Sequence, residues 1–119
     1  MKKALIVLLL FLAACGQQAD TVKIGVIVPL TGVVSYIGVE VQEGVLLAQE
    51  EINAQGGIDG KLLEIRFEDG KGDSPTTVTS FHNLMATFSP DVVIEASAAL
   101  AVTPLAQEAQ IPMLATVSS

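Results

Sequence analysis

The sequence predicts an α/β fold, a parallel sheet with helices on both faces, and three features predict it. Val22 to Val28 is a β-branched run with almost no polar interruption, the pattern of a strand buried on both faces of a parallel sheet. A long amphipathic segment follows and closes on Gly56-Gly57. Strand-like and helix-like stretches then alternate to the end of the chain, which implies βαβ units with right-handed crossovers.

The first strand should end at Pro29, which has no N–H to give a ladder. Thr31, Gly32 and Ser35 make a small polar loop at its carboxyl end, the place where ligands sit in open α/β sheets. From about Tyr36 to Ala54, Ile37, Val41, Gly44, Val45, Ala48 and Ile52 fall on one face of a helix, with Glu40, Glu43 and Glu50 opposite. A helix-interior glycine costs roughly 1 kcal/mol, so Gly44 predicts close packing of this helix on the sheet. Gly56-Gly57 supplies the left-handed exit, and Asp59-Gly60 a tight turn.

Leu62 to Phe67 reads as a second strand whose alternation with Glu64 and Arg66 places it toward a sheet edge. Asp69 to Asp73 is a loop. Ser74 and Pro75 suit the cap and first position of a second helix, whose apolar face is Val78, Phe81, Leu84, Met85 and Phe88 and whose stop is Ser89-Pro90. Asp91 to Ile94 is a third strand. Ser97 to Gln110 is a third helix in which Pro104 must lie in the first turn or produce a kink. Ile111 to Ala115 is a fourth strand, and Thr116 to Ser119 begin the loop after it.

The amino end reads differently. Met1-Lys2-Lys3 is basic, and the apolar run from Ala4 to Ala14 is too short to span a bilayer and suits the core of a secretory leader. It ends Leu12-Ala13-Ala14-Cys15, with Gly16 next, which resembles the bacterial lipobox. On that reading residues 1–14 are the leader, Cys15 is lipidated, residues 15–21 are a tether, and acyl chains hold the protein to a membrane. The alternative is an ordinary leader with an incidental cysteine. As the only cysteine in 119 residues, Cys15 leaves no intramolecular disulfide to propose.

Composition excludes several function classes. All thirteen acidic residues lie beyond Cys15, against four basic ones, so the body of the chain carries a net charge of −9. That disfavours nucleic acid and adhesion to anionic lipid, both of which require clustered Lys or Arg. The loop after the first strand lacks a dinucleotide-binding GxGxxG, and position 65 is Ile where a phosphate loop ending in Gly70-Lys71 needs glycine. The acidic spacing around Gly70 does not fit a calcium loop. The single histidine, His82, sits mid-helix, where a solvated rim position suits it better than pairing with a serine. There is no metal cluster, no cofactor and no catalytic constellation to assign.

What remains is a set of hydroxyls at strand carboxyl ends: Thr31 and Ser35, with Tyr36, after the first strand; Ser97 after the third; Ser118 and Ser119 after the fourth. Singly, each suits a cap or a turn. Together, hydroxyls and helix-terminal N–H groups make a site for a carboxylate, and free carbonyls can accept from an ammonium.

The stretches IGVIVPLTG, EEINAQGGIDGKLLEIRFEDGKGD and AVTPLAQEAQIPMLA, together with the lipobox, resemble the substrate-binding proteins of ABC transporters, of the leucine/isoleucine/valine-binding type. The resemblance runs from about Lys23 to Ser119 and implies a periplasmic-binding-protein type I fold, with residues 22–119 an incomplete N-terminal lobe of two that close on a ligand. It implies that Ser97 and its neighbour Ala98 grip the ligand, that Val117 and Ser119, with Ser118 between them, offer a carbonyl and a hydroxyl, and that Ile37 and Tyr36 line the pocket. Glu95 departs from the glycine usual after the third strand, and Ala96-Ser97 from the usual serine pair. The implied function is an exported solute-binding component, not an enzyme, that delivers an amino acid or a related amide or acid to permease subunits. The alternatives are a sensory module of the same fold feeding a signalling partner, and a lipid-anchored hydrolase using Ser35 or Ser97.

Overall fold

The computed structural model describes residues 20–116; the leader, Cys15, Val117, Ser118 and Ser119 lie outside the described residues. Within them the chain runs β1 (Thr21–Val28), α1 (Ser35–Ala54), β2 (Leu62–Asp69), α2 (Ser74–Thr87), β3 (Val92–Glu95), α3 (Ala99–Glu108) and β4 (Met113–Ala115). The strands form one sheet in the order β2-β1-β3-β4, every neighbouring pair parallel. Val28 is in register with Asp69, Ile27 with Glu95, and Glu95 with Ala115. The four strands therefore end along one edge.

Two cores sit on the two faces. On one, Ile27 and Val93 meet Phe81 and Leu84 of α2, Phe88 just beyond it, and Val102 and Ala106 of α3. On the other, Val26, Val28 and Ala96 are joined by Val41 and Val45 of α1. Burying each of the large side chains stabilises by about 1.5–3 kcal/mol. The β-branched run of β1 is apolar on both sides because both sides are covered.

The second strand is an edge strand, as its alternation predicts. Its outward-facing backbone at Leu63 is taken up by α1: Gln49 Nε2 and Asn53 Nδ2 each donate to the Leu63 carbonyl at 3.0 Å, and Leu63 N donates to Asn53 Oδ1 at 2.7 Å. These polar groups anchor the helix and blunt the exposed edge at once.

Three local expectations are corrected. Gly44 is not the packing glycine: a Cβ there would meet nothing within 4 Å. Gly38 is, since a Cβ there would collide with the carbonyl of Pro29. The cap of α2 is Asp73, whose Oδ1 accepts from Thr76 N at 2.8 Å and Oδ2 from Thr76 Oγ1 at 2.9 Å; Ser74 is already helical. The third helix starts at Ala99 instead of Ser97, and Pro104 lies in its interior. Pro104 has no N–H for the carbonyl of Leu100 four residues back.

Candidate ligand-binding edge

The sheet order places β1 between β2 and β3, with α1 on one face and α2 and α3 on the other. The loops after β1 and β3 thus lead to helices on opposite faces, which opens a crevice outside the carboxyl ends of those neighbouring strands. Three loops meet there: residues 29–34 after β1, 70–73 after β2 and 96–98 after β3.

Asp69, the last residue of β2, ties the first two loops together. Its Oδ1 accepts from Leu30 N at 2.9 Å, Thr31 N at 3.3 Å and Lys71 N at 2.9 Å, and its Oδ2 from Thr31 Oγ1 at 2.5 Å. Burial is the largest single influence on this carboxyl and pushes its pKa up. The Thr31 hydroxyl and the three N–H groups together outweigh it and hold the pKa below the ordinary value. Thr31 is therefore committed to the scaffold.

Ser97 ties the third loop to the second. Its Oγ accepts from Gly72 N at 3.0 Å and lies 3.1 Å from the buried Thr77 hydroxyl, whose own proton is directed to the Asp73 carbonyl at 2.8 Å. The contact is so close that a Cβ on Gly70 would overlap the Ser97 side chain. Ser97 stands at the strand-end edge as the sequence predicts, with its oxygen already receiving the Gly72 N–H.

The remaining sequence-predicted residues surround these ties. Ser35 opens α1, which has no side-chain cap. Tyr36 is 65% exposed and Val33, in the loop before it, 96%. Ile37 is half-buried and Ala98 buried. The loop after β4 is described only at Thr116, whose N–H donates to the Glu95 carbonyl at 2.9 Å, so Val117, Ser118 and Ser119 have no described geometry.

Glu95 was not foreseen as a site group. It is 0% exposed, and its Oε1 accepts from Ser97 N and from Ala98 N, each at 2.6 Å, across the amino end of α3. Its Oε2 has no hydrogen-bond partner among the described residues. Burial raises its pKa, and the N–H groups of Ala98 and Ser97 offset only part of that rise. The sequence signal was a single Glu closing a β-branched run.

Among the described residues no group of His, Cys, Asp and Glu could hold a metal ion, and no helix is long and apolar enough to cross a membrane. His82 is exposed on α2, edge-on to Phe81 with ring centroids 6.1 Å apart. It borders a groove of about 270 Å³ with Met85, Leu105 and Glu108. That groove lies at the carboxyl-terminal halves of α2 and α3, the opposite end of the sheet from the crevice.

Residues 21–119 match the periplasmic binding protein family. The chain is similar to the Leu/Ile/Val-binding protein homolog 3 of Brucella melitensis, 38% identical over 72 residues that cover 60% of this chain and 19% of that protein. Its fold is similar to that of the branched-chain amino acid transporter substrate-binding protein of Streptococcus pneumoniae in complex with isoleucine. The TM-score is 0.78 at 30% identity, over 84% of this chain and 30% of that one. A solute-binding protein of an ABC transporter from Rhodopseudomonas palustris, in complex with 3,4-dihydroxybenzoic acid, gives a TM-score of 0.75 at 25% identity, over 84% of this chain and 28% of that one. The chain spans less than a third of the length of each.

Proposed function

The chain belongs to the periplasmic binding protein family, and from that premise we propose that it is part of the solute-binding component of an ABC importer. The family is a solute-binding, non-catalytic class. The proposed solute is an amino acid or a related small molecule, held at the strand-end crevice and delivered to permease subunits. The observation that carries the reading is the meeting of the loops after β1, β2 and β3 at one edge, where α1 and α3 diverge to opposite faces. Supporting it, Ser35, Tyr36, Ile37, Ser97 and Ala98 all fall on that edge, and relatives of the same fold carry isoleucine or a dihydroxybenzoate.

Export follows the family, and the lipobox-like Leu12-Ala13-Ala14-Cys15 supports a lipid anchor at Cys15. Mass spectrometry of the membrane-extracted protein should find an acylated amino-terminal Cys15, lost in Cys15→Ser. An unmodified cysteine would sink the anchor and leave the binding reading standing.

Isothermal titration calorimetry of the protein against leucine, isoleucine, valine, their amides and 3,4-dihydroxybenzoate tests the central reading. Saturable binding of at least one is expected, and Tyr36→Ala should weaken it. No heat from any of them would refute transport of this solute class.

A further inference from the structure

The amino end of the sheet carries an exposed apolar turn beside the point where the chain enters the fold. Residues 58–61 form a tight turn: Ile58 N donates to the Lys61 carbonyl at 2.8 Å, and Lys61 N to the Ile58 carbonyl at 2.9 Å. Asp59 and Gly60 between them are both left-handed, at φ 51° and 79°, as a two-residue hairpin turn of this kind requires. Gly57 N donates to the Ile52 carbonyl at 2.9 Å, and a Cβ on Gly57 would collide with the Lys61 carbonyl. The turn is thus pinned to the end of α1.

Two large aliphatic side chains are left open there. Ile58 is 48% exposed and Leu62, the first residue of β2, 43%, and neither joins either core of the sheet. Leu62 is in register with Thr21, the first residue of β1.

We propose that this turn is a membrane-contact surface, with Ile58 and Leu62 resting on the bilayer that holds the acylated Cys15. The proposal rests on the lipid-anchor reading above and adds what that anchor does to the lobe.

Reach is the first argument. Cys15 lies six residues before Thr21, and an extended chain spans at most about 3.5 Å per residue, so the anchor keeps this end of the sheet within about 20 Å of the lipid. So short a tether makes any second contact intramolecular, at an effective concentration of the order of millimolar. A contact too weak to recruit a free protein is then populated in the anchored one.

Charge is the second argument, and it selects the kind of contact. The Lys61 ammonium beside the turn is matched by Asp20, and Asp59 at its tip is exposed. The body of the chain is acidic as well. The surface therefore meets lipid through its aliphatic groups and gains nothing from anionic headgroups.

The contact also orients the crevice. β1 runs away from the turn for eight residues, which at about 3.3 Å each puts the strand-end loops about 25 Å from this end of the sheet. Anchor and turn together hold the lobe with its crevice clear of the headgroups.

The test uses the acylated full protein in phosphatidylcholine vesicles containing a nitroxide-labelled lipid. A fluorophore is attached through Ile58→Cys or, at the crevice end, Val33→Cys; the acylated Cys15 thiol does not react. Fluorescence at position 58 should be quenched about twofold or more, as for a group at headgroup depth, and at position 33 it should barely change. Leu62→Ser should reduce the quenching at position 58, high salt should leave it in place, and added phosphatidylglycerol should not increase it. Equal quenching at both positions, or none at 58, would overturn the contact. So would quenching at 58 that Leu62→Ser leaves unchanged, because the tether alone would then account for it, or quenching that appears only with anionic lipid. If Cys15 carries no acyl chain, the anchor reading falls and this inference with it, while solute binding stands.

Discussion

Two glycines six positions apart on α1 should respond to alanine with opposite signs. A Cβ on Gly38 would overlap the carbonyl carbon and oxygen of Pro29, which is buried and immediately follows β1. Both colliding atoms are backbone, so no side chain can rotate aside, and α1 has to lift from the end of β1. Overpacking of this kind costs about 1–3 kcal/mol, and a backbone obstacle puts it near the upper figure. Alanine's better helix propensity returns about 1 kcal/mol, leaving Gly38→Ala destabilised by about 2 kcal/mol. At Gly44 a Cβ meets nothing within 4 Å, so only the propensity counts, and Gly44→Ala should be about 0.5–1 kcal/mol more stable.

The assay is urea unfolding followed by far-ultraviolet circular dichroism. With a slope of about 2 kcal/mol per molar urea, the midpoint should fall by about 1 M for Gly38→Ala and rise by a few tenths for Gly44→Ala. Gly38→Ala melting at or above the wild type would refute the packing argument. Gly44→Ala melting below it would mean that α1 faces the sheet through Gly44 after all.

Three further outcomes follow from the packing and the charges. Phe81→Ala empties a side chain that is 2% exposed between α2, α3 and the sheet and should cost about 3–5 kcal/mol in the same unfolding experiment. Asp69→Ala releases both loops and should cost about 1–2 kcal/mol after discounting for the water that reaches the site. Because the Asp69 pKa is lowered from 3.8 in the folded state, its contribution is present above that value and is lost as pH falls through the lower folded pKa. The wild type's melting temperature should therefore converge on the variant's in strong acid. Glu95 has the opposite sign: its folded pKa is raised from 4.5, so it favours folding at low pH and disfavours it as pH rises past 4.5. Glu95→Gln should gain stability relative to the wild type between pH 4 and pH 7, and a constant difference would contradict the burial of its charge.

The elements were legible where a local pattern decides them. The run from Val22 to Val28 is β-branched because both faces of β1 are covered, and the second helix shows its buried face directly as Phe81, Leu84 and Phe88. The orientation of α1 was not legible. Its two interior glycines are equivalent by propensity, and its sheet-facing anchors include Gln49 and Asn53, which a helical wheel assigns to solvent. The start of α3 was misplaced because of a local side-chain contact: Glu95 takes the N–H groups of Ser97 and Ala98, two and three residues on, and holds them outside the helix. At the site, the sequence named Ser97 as one of the hydroxyls at strand carboxyl ends but not what it is bonded to. Its donor, Gly72 N, is 25 residues away, and no spacing rule links them. Asp69 was read as the start of a turn because its four donors come from two loops that only the sheet brings together.

The charge at the crevice comes from a few residues. Of the basic side chains among the described residues, Lys23 and Arg66 lie over the Phe88 ring, at 5.5 and 4.4 Å from its centroid, beyond the carboxyl end of α2. Lys61 pairs with Asp20 at 2.6 Å at the opposite end of β2 from Asp69. Only Lys71 belongs to the three loops of the crevice; Asp69 and Glu95 stand just before the second and third of them, and Asp73 closes the second. Asp69 and Asp73 are turned inward to N–H and hydroxyl donors, and what they project outward is shared with water and screened within about 8 Å at physiological salt. Glu95 is buried, so its field is screened far less. Added salt should thus weaken whatever preference Lys71 and Asp73 impose and leave the contribution of Glu95 nearly unchanged. A discrimination against acids that survives high salt in the wild type and disappears in Glu95→Gln would belong to the buried carboxylate. One that fades with salt in both would belong to the surface.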